Sequence, residues 1–194
     1  MNNSKKLILA SSSEERMRML TASGYKVDSI VPANIDESEL KGEMPKALAF
    51  RLAFEKVQKV SQEFPNDVVI GADTVVSVGR TSLPKALLES DAKLCLDKLS
   101  GRRHVVYTGI CLAHNSIFRK KVAMSIVKFK HLTEEEKSFY VESKEWYGKA
   151  GGYAIRGKAS SFIQYIRGLD STIMGLPMSI VYNLLQSFGI KPSN

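Results

Sequence analysis

The stretch LILASSSEERMRML, residues 7–20, decides how the rest of the chain is to be read. Leu7–Ala10 is an apolar run with the length of a buried strand. Three serines follow, and Glu14-Glu15-Arg16 opens a helix that carries Met17 and Leu20 on one side and stops at Gly24. A strand that empties into serines at a helix start has two explanations. One is a cap, because Ser12 and Glu15 stand at the spacing of a capping box. The other is an anion site, because a helix N-terminus presents unpaired N–H groups and a partial positive charge. Ser11 and Ser13 are small hydrogen-bond donors, and Arg16 could grip a phosphate bidentately.

Outward from this unit, helices and strands alternate. YKVDSIV (25–31) predicts a second strand, and a polar loop follows it, PANIDESELKGEMP. Pro45 opens a helix reaching about Phe64, with Ala49, Ala53, Val57, Val60 and Phe64 on its apolar stripe. VVIGADTVVSV (68–78) predicts a buried strand interrupted by one acid. Ser90 is placed to cap a helix ending at Ser100-Gly101. HVVYTGICLA and Ile117–Lys130 predict a hairpin turning at His114-Asn115-Ser116. Thr133 and Glu136 form a capping box for a helix through about Glu142. A glycine-rich loop, GKAGGYAIRG, precedes a strand in SFIQYI (161–166). Pro177 begins a last helix with Val181, Leu184, Leu185 and Phe188 on its apolar face. No repeat or linker divides the chain. The fold class expected is α/β with a mixed sheet, built as a single domain over residues 1–194.

The totals restrict the function. Of 194 residues, 44% are hydrophobic and 25% charged, an ordinary globular balance. No apolar run approaches a membrane span, and the run before Ser11 is too short for a signal-peptide core, so a cytoplasmic protein is expected. Cys95 and Cys111 sit in apolar surroundings outside any metal-binding spacing, and the three histidines are scattered. The net charge of +8 admits nucleic acid, a membrane surface or a small polyanion. Its short clusters lack an aromatic-basic interleave, which argues against nucleic acid.

Asp73 is the strongest single signal, because an ionised carboxylate among residues this apolar is costly unless paired or metal-bound. It is either a strand-end or bulge acid, or a general base or metal ligand. Asp36-Glu37, in the NIDESE loop, could supply a second carboxylate, or the loop is simply solvated. Lys56 lies on or beside the apolar stripe of its helix, where it either snorkels to water or points into a cleft. Lys85 follows a proline in a loop. Neither a P-loop nor a GxGxxG turn is present. Together, acids, lysines, an arginine and a serine-rich helix start suit metal-assisted attack on a polyphosphate.

The motifs LILASSS, IDE, RLAFEK, GADTVV, LPKA, LSGRRHVVYTG, KAGGYAI and MGLP, in this order, resemble those of the Maf family from about Leu7 to Gly189. That resemblance implies a nucleoside triphosphate pyrophosphatase, which cleaves between the α- and β-phosphates with a divalent metal such as Mg2+ or Mn2+. It implies an elongated, mixed-sheet fold of two lobes around a cleft, similar to the inosine triphosphatases, and often a homodimer. It also implies links to septum formation and to house-cleaning of non-standard nucleotides. By position, Asp73 would be the catalytic base or metal-linked carboxylate and Glu37 its acidic partner. Lys56 and Lys85 would stabilise charge on the triphosphate, and Ser11, Ser13 and Arg16 would bind phosphate. Thr74 fits the branch acting on dTTP and UTP. Glu14 stands where the family has proline, Glu15 where it has arginine or tryptophan, and Arg156, also a substrate contact, where it has glutamine. These departures admit one rival, a nucleotide-sensing regulator of division that binds without turnover.

Overall fold

The computed structural model describes residues 5–193, so the first four residues of the N-terminal stretch weighed above lie outside it. In chain order the elements are β1 (Leu7–Leu9), α1 (Glu14–Ala22), β2 (Ser29–Ile30), α2 (Pro45–Ser61), β3 (Val68–Val78), β4 (Thr81–Leu83) and α3 (Glu89–Leu99). Then come β5 (Arg103–His114), β6 (Ile117–Phe129), α4 (Glu134–Glu142), β7 (Ile163–Arg167), α5 (Asp170–Ile173) and α6 (Met178–Ser187). All seven strands join one sheet in the order β2-β1-β3-β5-β6-β7, with β4 on β3. β1 runs parallel to β2 and β3, and the other pairs are antiparallel. The mixed α/β class expected from the sequence is therefore the observed one.

Several boundaries differ from expectation for local reasons. The second strand shrinks to Ser29–Ile30 because β1 offers it only Ile8 and Leu9 as partners. Asp28 instead accepts the Leu7 N–H through its side chain, and Tyr25 is buried in the core. Ser90 is not the cap of α3, which starts one residue earlier. Asp91, inside the first turn, accepts from the N–H groups of Leu87 and Leu88. The strand expected from Ser161 begins at Ile163, after a 3-10 turn over Lys158–Phe162. The β5–β6 turn rests on Asn115 and Ser116 with φ of +47° and +62°, the left-handed pair that a two-residue hairpin requires. Thr133 and Glu136 cap α4 reciprocally, as their spacing predicts.

Helices cover both faces of the sheet. On one face α2 packs Ala53, Val57 and Val60 against Ile8, Val69 and Cys111. On the other, α1 and α6 pack Leu20, Val181 and Leu185 against Leu7, Leu9, Ile70 and Leu112. Further along that second face, α3 and α4 cover Val76, Val106 and Val127. Glycine sets the depth of α2. A Cβ on Gly109 would lie 2.1 Å from the Ala49 carbonyl oxygen, so the helix backbone rests directly on β5. Strand β3 is longer than either neighbour on its outer edge. β1 pairs with it up to Ile70 and β4 from Val76, which leaves Asp73 and Thr74 on an edge with no strand beside it. Ligand crevices in α/β sheets open at such places, beyond the carboxyl end of a strand.

His104 gives the core a pH dependence. It is 1% exposed, one ring nitrogen meets the Tyr153 hydroxyl at 2.8 Å, and its Nδ1 has no partner among the described residues. Burial pushes the imidazole down from 6.5 to about 4. The unfolded chain therefore takes up a proton first, and stability present above about pH 6.5 is lost as pH falls toward 4. The gap between the two values corresponds to about 3 kcal/mol. Urea midpoints at pH 7 and pH 4.5 should fall clearly further apart in the native protein than in His104→Phe; equal falls would remove His104 as the cause.

Candidate active site

Strand β1 ends in the serines, and the helix after them starts one residue later than the S-x-x-E pattern predicts. The Ser13 N–H donates to Ser11 Oγ, and Ser13 Oγ accepts the Arg16 N–H. Ser13 is thus the cap of α1 in place of Ser12. Glu15 does not fold back onto the backbone; it pairs with Arg18 at 3.3 Å. Arg16 is left to turn inward. Its Nη1 donates to Ser11 Oγ at 3.0 Å, its Nη2 to Thr74 Oγ1 at 3.2 Å and its Nε to the Gly175 carbonyl at 3.0 Å. Burial draws the guanidinium below its ordinary value, and the charges of Asp73 and Glu37 offset this only in part.

On the α2 side of the open edge, Asp73 sits in mid-strand. The β3–β5 register runs unbroken from Val69 to Ser77, so no bulge accounts for the acid. Lys56, on the buried side of α2, directs its ammonium to Asp73 Oδ1 at 2.5 Å and to Glu37 Oε1 at 2.6 Å. It does not snorkel: its side chain is 11% exposed. Burial works to raise the Glu37 carboxyl. The Lys56 hydrogen bond and the charges of Lys56, Lys85 and Arg16 outweigh that and hold it below the ordinary carboxylate range.

The loop that brings Glu37 here is tied to α2. Arg51 binds both oxygens of Glu43 at 2.8 Å and the Ser38 carbonyl at 2.9 Å, and Lys59 holds the Asn34 carbonyl at 2.7 Å. The bidentate Glu43 contact, with Glu55 beside it, raises Arg51 above its already high ordinary value. Sequence reasoning missed this clamp, although Arg51 stands in the RLAFEK motif.

Ser11, Ser13, Arg16, Glu37, Lys56, Asp73, Thr74, Lys85 and Arg156 all line one cavity of about 1270 Å³. The structure brings these nine together; Asp36, the alternative to Glu37, does not line the cavity and accepts the Ser38 N–H instead. Two of them differ in availability. Lys85 is exposed and forms no ion pair among the described residues, so its charge is open to an anion. Arg156 is paired with Asp170 at 2.7 Å, an exposed bridge that solvent weakens. Among the described residues no group of three or more metal-ligating side chains exists. Glu37 and Asp73 each use one oxygen on Lys56, which leaves the second oxygen of each for a cation. Two carboxylates fit a hard divalent ion that takes its other ligands from phosphate and water.

Chemically, the cavity joins a cationic wall to a carboxylate able to take a proton from water. Comparison with known proteins agrees with the geometry. Residues 6–188 match the family model described as Maf-like protein. The chain is 48% identical over 188 residues to a protein of Orientia tsutsugamushi named nucleoside triphosphate pyrophosphatase, covering 94% of this chain and 92% of that one. It is 43% identical over 187 residues to a dTTP/UTP pyrophosphatase of Caulobacter vibrioides, covering 96% and 97%. Its fold is similar to that of the Staphylococcus aureus Ham1 protein, at a TM-score of 0.50 and 14% identity over 95% of this chain and 97% of that chain. With a family match over nearly its whole length and full-length relatives above 40% identity, the chain belongs to the Maf family.

Proposed function

We propose that the protein is a metal-dependent nucleoside triphosphate pyrophosphatase that hydrolyses the α–β phosphoanhydride of pyrimidine triphosphates such as dTTP and UTP. The observation that carries the reading is the Glu37–Lys56–Asp73 cluster on the open edge of β3, facing Arg16 and Lys85 across one cavity. The names of the relatives support both the reaction and the base. In this reading Asp73 takes the proton of the attacking water. Lys56 holds both carboxylates in place, and Glu37 is the second carboxylate for the metal. Arg16, Ser11 and Ser13 bind the phosphates beside the start of α1, and Lys85 offsets charge that develops on the leaving pyrophosphate. A magnesium or manganese ion, when bound to Glu37 and Asp73, would neutralise phosphate oxygens. Thr74 and Arg156 line the same cavity and limit which substrate fits. A cytoplasmic location and a homodimer belong to the same reading; the first follows from a nucleoside triphosphate substrate, which is held inside the cell, and the second from the family resemblance.

Rates with dTTP, UTP, CTP, GTP and ATP, each with magnesium, manganese or a chelator, test it. Turnover of dTTP and UTP should exceed that of the purine nucleotides by at least about tenfold and vanish under chelation. Undiminished turnover with chelator would overturn the metal, and a purine preference would overturn the base.

A further inference from the structure

A line of hydroxyls lies behind the phosphate-binding arginine, on the sheet face away from α2. Thr74 and Thr108 are register partners on β3 and β5, with their oxygens 3.0 Å apart. Thr108 is fully buried and does not line the cavity. Its hydroxyl donates to the Thr172 carbonyl at 2.7 Å. A hydroxyl has one proton and a carbonyl oxygen has none, so Thr108 can only accept from Thr74. The Thr74 proton is thereby committed inward. Its oxygen turns a lone pair to the cavity, where Arg16 Nη2 donates to it. The chain runs one way, from guanidinium to Thr74, Thr108 and the Thr172 carbonyl.

Arg16 is held by three neutral acceptors, and no carboxylate lies within ion-pair distance among the described residues. Of the five N–H groups of an arginine, three are used, and the remainder is available to an anion. The Thr172 and Gly175 carbonyls that anchor the chain come from one short segment at α5.

We propose that Thr108 is a positioning residue for phosphate binding. It fixes the direction of the Thr74 hydroxyl, so that Thr74 orients Arg16 and does not itself donate to substrate. The inference rests on the pyrophosphatase reading only for the nature of the anion. Gly175 gives a second approach to the same guanidinium. Its φ is +101°, and a Cβ there would lie 3.2 Å from both Arg16 Nε and Thr74 Oγ1.

The test is calorimetric binding of magnesium pyrophosphate, with KM and kcat for dTTP alongside. Thr108→Val should weaken binding and raise KM by about tenfold, the scale of one lost hydrogen bond, with little change in kcat. Thr108→Ser should restore both. In an Arg16→Ala background, Thr108→Val should add no further loss, because the group it positions is gone. Equal losses on both backgrounds, or a serine variant as weak as the valine, would overturn the proposal. If Thr108→Val does not fold, Thr108→Ala, which differs from Thr108→Ser only in the hydroxyl, is compared on the same two backgrounds, with the same expected and contrary results. If the coupling appears but no nucleotide is cleaved, the reaction assigned above fails while the role of Thr108 stands.

Discussion

Replacing Asp73 with asparagine should lower nucleotide turnover by at least about a hundredfold while the protein stays folded, the scale of losing a general base. The substitution keeps the shape of the side chain and removes its charge and its basicity. Asp73 is the carboxylate on the stretch of β3 whose outer edge has no strand beside it, and its Oδ1 receives Lys56 at 2.5 Å. Asparagine leaves Lys56 with Glu37 as its one anionic partner. Glu37 does not substitute for the lost base, since it lies on a loop and not on the edge of β3 and remains the ion-pair partner of Lys56. Initial rates of pyrophosphate release, with thermal melts to confirm folding, decide the matter. A folded Asp73→Asn protein of near-native activity would remove Asp73 from the chemistry.

The second large effect lies outside the cavity. Gly109→Ala should destabilise the protein by about 3 kcal/mol or more, the upper range of overpacking in a filled core. The added carbon would meet the Ala49 carbonyl oxygen at 2.1 Å and its carbon at 2.6 Å. These are backbone atoms in the second turn of α2 and cannot rotate aside, so the helix must move. Lys56 is two turns further along that helix, and Gly109 is the register partner of Asp73. The same shift that relieves the clash therefore separates Lys56 from Asp73. Urea unfolding should show a lower midpoint, and the surviving folded fraction should turn over nucleotide more slowly. A variant with a native midpoint would contradict the direct contact of the α2 backbone with β5.

These two residues also show what the sequence made legible. Asp73 was visible because a charge in an apolar strand has an immediate energetic cost. Gly109 was not, because a glycine in a strand has several explanations until a helix backbone is found against it. The order of the longer strands and helices followed from periodicity, capping and turn residues, whereas the short β4 and α5, of three and four residues, left no periodic signal. The ends of elements were less legible where more than one residue could cap. Among three consecutive serines the S-x-x-E spacing favours Ser12, yet Ser11 takes the Ser13 N–H and moves the helix start by one residue. At α3 the capping group, Asp91, lies inside the helix it caps, so Ser90 was the more conspicuous choice. Within the site, the residues bearing charge stood out individually, and the clamp and the hydroxyl chain did not. Arg51 looks like any surface residue of an amphipathic helix. Thr108 looks like any strand threonine, and its role depends on a partner 64 positions away.

The central claim is that this cavity hydrolyses a nucleoside triphosphate between its α- and β-phosphates. The most direct measurement is chromatography of the products formed from dTTP and UTP by the purified protein with magnesium. The account predicts nucleoside monophosphate and pyrophosphate in equal amounts, formed together from the first turnovers. Nucleoside diphosphate with single phosphate, or no product from a protein that binds the nucleotide, would contradict it.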